Sequence, residues 1–280
     1  MTWERVERLD AEWAATALYN ESGVLLAVEG PCPGGQVGAA YVRWPDGHRS
    51  ILKRRQHTDL FGQQAVPDIL RSAGYPAPAT ELTARIGDLV VTVQELLPGN
   101  GIGCFDEHHL DQAIALNHLQ ADQLTDRPDI PLVNLYLHDD GPGFCLHEPL
   151  RQHNTRTAAL ERWITGVAAD HLDGNDALHM DFHPGNMLAT NGTITGVIDW
   201  DGAARGDRRL DLVTLRFGLE SEPTAPGVAA RLDAVLDTFP ADILRATWAH
   251  MSLRMTDWAI RHFTPADVER WLDFAGRRID

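Results

Sequence analysis

The residues best suited to chemistry lie between 178 and 212, in the string LHMDFHPGNML followed by ITGVIDWDGAARGDRRLDL. Three hard oxygen donors stand out: Asp181, Asn186 five residues later, and Asp199 at the end of an apolar run. Asp181 precedes a His-Pro-Gly turn, which predicts a rigid loop. Asn186 and Asp199 suit Mg²⁺, which keeps several waters and takes one or two protein oxygens together with substrate phosphates. A separate Asp181 can then orient an acceptor hydroxyl and take its proton. A rival reading starts from His179-Met180-Asp181-Phe182-His183, an H-x-D-x-H string of the kind that binds metal in hydrolases. It needs further ligands, and although His147 and His171 exist, nothing in the sequence arranges them.

A second signal lies far away in the chain. Of 24 basic residues, 23 are Arg and one, Lys53, is Lys. Where Arg serves as the general cation, a solitary lysine marks a place for a compact point charge on a flexible stem, suited to gripping phosphate oxygens.

Elements must hold these residues. Residues 11–20 predict a short helix. Val24–Glu29, Ala39–Trp44 and Arg49–Arg55 read as strands, separated by the glycine-rich stretch GPCPGGQVG (30–38) and by the turn at Pro45-Asp46-Gly47-His48. A helix over 60–73, bent near Pro67, and a strand pair 81–86 and 88–95 around Gly87 complete an antiparallel sheet with one helix. After Pro98-Gly99-Asn100-Gly101 the pattern turns helical, over roughly 106–123, 155–172, 208–219, 226–237, 241–262 and 265–277. Thr264-Pro265 marks the start of the last of these, and Asn191-Gly192 a hairpin inside the non-helical block 178–204. Trp248, Leu253, Trp258 and Trp271 are expected in the core.

With those residues in view, the chain resembles the aminoglycoside phosphotransferase (APH) family, relatives of the protein kinases. His179-x-Asp181-x4-Asn186 is similar to the family's catalytic-loop motif, Ile198-Asp199-Trp200-Asp201 to its metal-binding segment, and Asp211 to an Asp that braces the catalytic loop. Ile51-Leu52-Lys53 resembles the lysine strand, Gln94 to Gly99 the interlobe hinge, and Gly30–Gly38 lies where a phosphate-covering loop belongs. The likeness spans about residues 22–220. It implies an α+β, two-lobed kinase-like fold with a nucleotide-binding lobe 1–95, a hinge 96–101 and a catalytic lobe 102–280. It implies Asp181 as base, Asn186 and Asp199 as Mg²⁺ ligands, and His179 and Asp211 as structural support. Lys53, Gly34, Gly35, Gly38, Gln94, Glu95 and Leu97 would bind the nucleotide, ATP or GTP. Two departures stand. The glutamate that pairs with the family lysine should fall near Gln63 or Gln64, where no carboxylate exists; Asp59 and Asp68 are the available substitutes. The glycine loop also lacks the G-x-G-x-x-G order.

Composition narrows the partners. The net charge is −16, of which residues 1–97 carry −3 (12 acids, 9 bases) and the rest −13 (28 acids, 15 bases). Such a surface repels nucleic acid and anionic lipid and favours a cationic small molecule. The N-terminus lacks a signal-peptide pattern, no apolar run is long enough to span a bilayer, and three cysteines without metal spacing predict free thiols, all pointing to the cytoplasm. The expectation is therefore a kinase for a cationic antibiotic, an aminoglycoside or a basic cyclic peptide of the capreomycin and viomycin type, conferring resistance. A kinase for choline, ethanolamine, homoserine, a ketosamine or a thio-sugar is the alternative, and a catalytically silent nucleotide-binding module the third. Candidate acceptor contacts are Asp139, Asp140, Asp201, Glu220 and Glu222, with Glu148, Asp173 and Asp176 behind them.

Overall fold

Strand alternation and helix capping account for most of the elements seen in a computed structural model, which describes residues 8–33, 37–56, 65–169 and 171–279. In chain order they form α1 (Ala11–Ser22), β1 (Ala27–Pro31), β2 (Ala40–Arg43), β3 (Arg49–Gln56), α2 (Val66–Ser72), β4 (Thr80–Ile86), β5 (Leu89–Glu95), β6 (Asn100–Gly101), α3 (Glu107–Leu119), α4 (His147–His153), α5 (Thr155–Thr165), β7 (Asp176–Leu178), β8 (Met187–Thr190), β9 (Thr193–Val197), β10 (Ala204–Gly206), α6 (Arg209–Gly218), α7 (Val228–Leu236), α8 (Ala241–His262) and α9 (Pro265–Ala275). The fold is α+β. Two compact units divide it: the described residues up to Asn100 together with Leu188–Ile198, and the described residues of Gly101–Met187 and Asp199–Asp280.

The first unit is built on an antiparallel sheet in the order β1-β2-β3-β5-β4. Side chains alternate across a strand. Leu52, Val91, Val93, Val42 and Ala84 therefore face one side, where Ala14, Ala15 and Leu18 of α1 cover them. Lys53, next to Leu52 and opposite Thr92 of β5, belongs to the other face. Helix α1 begins at Asp10, whose side chain accepts from the Trp13 N–H, and ends at Gly23 (φ 73°), whose N–H reaches the Tyr19 carbonyl. Helix α2 covers Val66–Ser72, and the expected start near residue 60 lies outside the described residues. Pro67 lies in its first turn, where a missing N–H costs nothing, so the proline opens the helix where a bend was expected. Residues 57–64, which include Asp59, Gln63 and Gln64, and residues Gly34 and Gly35 lie outside the described residues. The β8–β9 hairpin turns at Asn191-Gly192. Its strand β9 packs on Pro98-Gly99: Thr195 Oγ1 donates to the Pro98 carbonyl at 2.5 Å. A Cβ on Gly99 (φ +114°) would stand 2.6 Å from that Oγ1 and 2.9 Å from the Ala189 carbonyl, so only glycine fits there.

The second unit centres on Trp248, Trp271, Phe217 and Phe274, all nearly or fully buried. Phe217 lies 4.8 Å from both Trp248 and Phe274, edge-on to the latter. Leu253 joins the core, but Trp258 is only half-buried and packs at a tilt against His262, 3.8 Å between ring centres. Three helices start on capping boxes, at Asp106 for α3, Asn154 for α5 and Thr264 for α9. Helix α5 stops at Gly166, short of the expected 172, and His171 instead bridges to Asn134. Helix α4 is absent from the sequence pattern because Pro149 sits in its first turn and no side chain caps it. Among the described residues no helix is long and apolar enough to cross a membrane, and the three cysteines are free.

Candidate active site

The loop after β7 turns the chain with unusual backbone angles and many side-chain bonds. Met180 adopts φ +69°, a left-handed conformation that costs a non-glycine residue about 1–3 kcal/mol and persists only where its surroundings over-determine it. They do so here. Asp211, at the start of α6 and fully buried, accepts from the His179 N–H (2.7 Å) and from the Met180 N–H (2.9 Å). Gln120 Nε2 donates to Asp211 at 2.8 Å, and Asn117 Nδ2 donates to Gln120 Oε1 and to the Arg208 carbonyl, tying the end of α3 to α6. Burial pushes the Asp211 carboxyl up to about 6, against the three N–H donors that favour its anion. His179, with no exposed surface, packs edge-on against Trp200 at 4.3 Å, and its Nδ1 accepts from the Asp181 N–H.

Asp181 is held at both oxygens. Arg254 of α8 donates through Nη2 to Oδ1 at 2.7 Å, while its Nη1 donates to the Met180 carbonyl. Asn186 Nδ2 donates to Oδ2 and to the Asp181 carbonyl, both at 2.9 Å. Burial alone would raise the Asp181 carboxyl. The Arg254 guanidinium, with His183 and His179, outweighs it and holds the group well below the usual carboxylate range. About a third of the side chain stays exposed (35%), so an incoming molecule can still reach it.

The remaining oxygen of Asn186 follows from this network. Besides His183 Nε2 at 3.2 Å, its amide nitrogen meets two oxygens that can only accept, which fixes the orientation of the amide. Oδ1 then accepts nothing from the described residues and is available to a cation or to a donor group. His183 caps the short turn Pro184–Asn186: its Nδ1 accepts from the Gly185 N–H, and its Nε2 lies 3.2 Å from Asn186 Nδ2 and 3.4 Å from Asp181 Oδ2. Asp199 sits at φ 72°, the second strained residue of the site, and opens the turn Trp200–Gly202. That turn lies against the loop, since a Cβ on Gly202 would be 3.3 Å from the Met180 Cβ. Asn186 Oδ1 and the Asp199 carboxylate are both oxygen donors, of the type that a hard divalent cation takes beside substrate phosphates. Among the described residues, no group of three or more His, Cys, Asp or Glu could hold a metal ion, so the H-x-D-x-H string gathers no hydrolase-type ligand set.

The other sequence candidates divide. Gly38 has φ +82°, whereas Gly34 and Gly35 lie outside the described residues. Gln94 pairs with Ile51 in the sheet. The Glu95 N–H donates to the Ala79 carbonyl, and the Glu95 carboxylate binds Arg71 of α2 and the Ala79 N–H. Leu97 is buried and makes no backbone hydrogen bond among the described residues. Asp68 is exposed and enters no ion pair there, so it does not stand in for the absent helix glutamate. Of the acidic candidates, Asp140 caps the His147 N–H. Glu220 pairs with Arg216 and Arg277. Asp176 is buried under Arg208 and the Asp122 N–H. Asp139, Asp173 and Asp201 are exposed, and Glu148 is exposed with Gln152 on it. Glu222 differs in its place beside the loop. Its carboxylate lies about the Gly185 position, 3.0 Å from a Cβ built there, and binds no side chain among the described residues. Sequence reasoning missed Arg254, Gln120 and Asn117. Only the two amides left a trace, as polar residues three apart at the end of a helical pattern.

A family model described as the phosphotransferase enzyme family, APH, matches residues 31–251. No curated protein sequence matches the chain. Among solved structures, the fold is similar to a thermostable variant of aminoglycoside phosphotransferase APH(4)-Ia in ternary complex with ADP and hygromycin B, at 14% identity and TM-score 0.67, covering 95% of this chain and 97% of that one. It is similar to amicoumacin kinase in complex with AMP-PNP, Ca²⁺ and amicoumacin, at 16% identity and TM-score 0.61, covering 98% and 94%. Spectinomycin phosphotransferase APH(9)-Ia, in complex with ADP and spectinomycin, matches at 12% identity and TM-score 0.60, covering 97% and 95%. The loop geometry and the matched span agree: the chain belongs to the APH phosphotransferase family, with its kinase-like fold, and is a phosphotransferase with an alcohol group as acceptor.

Proposed function

We propose that the chain moves the γ-phosphoryl of ATP or GTP to a hydroxyl of a small cationic antibiotic, an aminoglycoside or a basic cyclic peptide of the capreomycin type, and so confers resistance. The observation that carries the transfer chemistry is Asp181, a carboxylate fixed at both oxygens yet still open to solvent, with the unused Asn186 Oδ1 beside it. Held anionic, Asp181 accepts a hydrogen bond from the acceptor hydroxyl, orients its lone pair for in-line attack, and receives the proton as the new bond to phosphorus forms. Asn186 and Asp199 would hold Mg²⁺, which would offset the charge of the donor phosphates. Lys53 grips the α- and β-phosphates, residues 30–38 cover them, and the Glu95 carbonyl and Leu97 N–H meet the purine. Catalysis is then mostly positioning and charge neutralisation.

The acceptor class rests on charge. The −13 excess beyond residue 97, and Glu222 beside the catalytic loop with no side-chain partner among the described residues, favour an acceptor bearing ammonium groups. The lobes 1–95 and 102–280, with a hinge at 96–101, belong to the same proposal, as does a cytoplasmic location. Two acceptor panels test it: aminoglycosides with basic cyclic peptides in one, and choline, ethanolamine, homoserine, ketosamines and thio-sugars in the other, each with ATP and with GTP. Mass spectrometry should find one added phosphoryl group on a member of the first. Phosphorylation confined to the second makes the chain a metabolite kinase and ends the antibiotic reading. Nucleotide binding without transfer to either would mark a silent module.

A further inference from the structure

The catalytic loop is braced from two directions, and only one of them has been given a role. Asp211 and the amides behind it hold the N–H groups of residues 179 and 180. Arg254 holds the other side of the same peptide, the Met180 carbonyl, together with Asp181 Oδ1.

We propose that Arg254 is the positioning residue that sets the direction of the base: by bridging the Met180 carbonyl and Asp181 Oδ1, its planar fork turns Oδ2 toward the acceptor hydroxyl. The inference rests on Asp181 being the residue that receives the acceptor, and it needs no particular acceptor.

Several observations converge on it. Asp181 is the one carboxylate that pairs with Arg254 among the described residues, so this cation serves the base alone. Two donors of a single rigid guanidinium fix two atoms of one residue pair, a carbonyl and a carboxylate, which a point charge cannot do with the same directionality. The residue type itself says little in a chain with 23 Arg, and the geometry carries the argument. The guanidinium is in turn held. It lies over the Phe144 ring at 6.0 Å, and Phe144 meets Tyr136 edge-on at 5.5 Å. One turn further along α8, the fully buried Asp257 accepts from the Leu146 N–H and takes a two-pronged bond from Arg261, which also reaches the Gly143 carbonyl. The helix segment that presents Arg254 is thereby pinned to residues 143–146 on its own side of the loop.

The consequence is a division between the two oxygens of the base. Oδ1 is spent on Arg254. Oδ2 receives Asn186 and, at longer range, His183, and retains a lone pair for the acceptor. Without Arg254 the carboxylate is held by Asn186 at one oxygen only, and its plane can tilt about its last torsion, a broad rotor. The base is still present but misaimed, which lowers turnover and leaves nucleotide affinity alone.

A double-mutant cycle on the full-length protein tests this, with Arg254→Ala, Arg254→Lys, Asp181→Asn and the Asp181→Asn/Arg254→Ala pair. Single-turnover transfer is read with an accepted substrate and with water, as nucleotide hydrolysis. Arg254→Ala should lower the rate by about 10²-fold, as misplacement of a reacting group does, with nucleotide affinity and Tm close to the parent. Arg254→Lys and added methylguanidinium should each restore part of the loss. In the Asp181→Asn background, removing Arg254 should cost nothing further, because it acts through Asp181. Equal losses in both backgrounds, a change confined to the acceptor KM, or a rate loss that follows loss of Tm and nucleotide binding would each overturn the proposal. Should every antibiotic fail as acceptor, the proposed substrate class fails, while the cycle read on water still decides the role of Arg254.

Discussion

The loop that carries Asp181 in one unit and the strand that carries Lys53 in the other place charged groups by different means. Register sets the face of Lys53: Leu52 points into the core beneath α1, and alternation sends its neighbour to the opposite face, across from Thr92. Any residue at 53 would share that face. Asp181 follows a left-handed Met180, on a loop whose N–H groups, carbonyl and carboxylate are bonded to α3, α6 and α8 through Gln120, Asp211 and Arg254. A regular element fixes where a side chain starts, whereas the wired loop also fixes where it points. The loop should therefore be the more sensitive to isosteric change, and the strand to changes of size and charge.

The largest effect should come from the loop. Asp181→Asn keeps the shape, removes the anion and puts an NH₂ where an acceptor stood. It should lower kcat by about 10³-fold, in the range that a positioned base supplies, while equilibrium nucleotide binding, followed by fluorescence of a labelled analogue, stays near the parent. Unaltered turnover would remove Asp181 from the mechanism.

Asp211 probes the same wiring through pH. Its carboxyl, pushed up to about 6 by burial, keeps a proton that the unfolded chain, with a carboxyl near 3.9, has already lost. The folded state thus binds more protons than the unfolded state between those values. This group's contribution to stability is largest below about pH 4, falls as pH rises through the window, and levels off above about 6, a total of about 3 kcal/mol. Asp211→Asn has no such titration. The difference in unfolding free energy, parent minus variant, should decline by that amount between pH 4 and pH 7 in denaturant titrations. A difference that rises instead would mean that the three N–H donors outweigh burial and hold the carboxylate ionised.

On the strand, Lys53→Arg keeps the charge but substitutes a larger, planar cation in a chain that uses arginine everywhere else. The expected loss in kcat/KM for nucleotide is about 10²-fold, comparable to removing one charge-stabilising donor. Near-parental kinetics would mean that position 53 needs only a positive charge, and would take away the significance of its being the sole lysine.

The same contrast explains what was legible in the sequence. The sheet order, the capping boxes and the catalytic string are local: Asp181 and Asn186 bond over five residues, and their spacing alone suggested shared work. Arg254 reaches the loop over 73 residues and Gln120 reaches its brace, Asp211, over 91, and contacts of that range leave no spacing to read. Arg254 was also hidden among 22 other arginines. Helix α4 was masked by a proline whose position in the first turn makes it harmless. For the acidic rim, sequence offered only net charge, which does not separate a carboxylate facing a substrate from one spent inside the protein. Asp140 closes a helix end and Glu220 sits between two arginines, while Glu222 binds none of the described side chains.

Glu222 therefore gives the smallest effect, and one that bears directly on the acceptor. It stands beside Gly185, at the edge of the loop and outside its network of bonds. A partly solvated carboxylate of this kind attracts an ammonium group with about 0.2–1 kcal/mol. Glu222→Gln should raise the KM of a cationic acceptor by about threefold at low salt, a change within that range, with kcat and the nucleotide KM as in the parent. The effect should shrink as ionic strength rises, because exposed charges are screened over about a Debye length. An uncharged acceptor should show no change at any salt. If cationic and neutral acceptors respond alike, Glu222 acts by shape or by supporting Gly185. The charge argument for the acceptor would then rest on the distributed field of the helical unit alone.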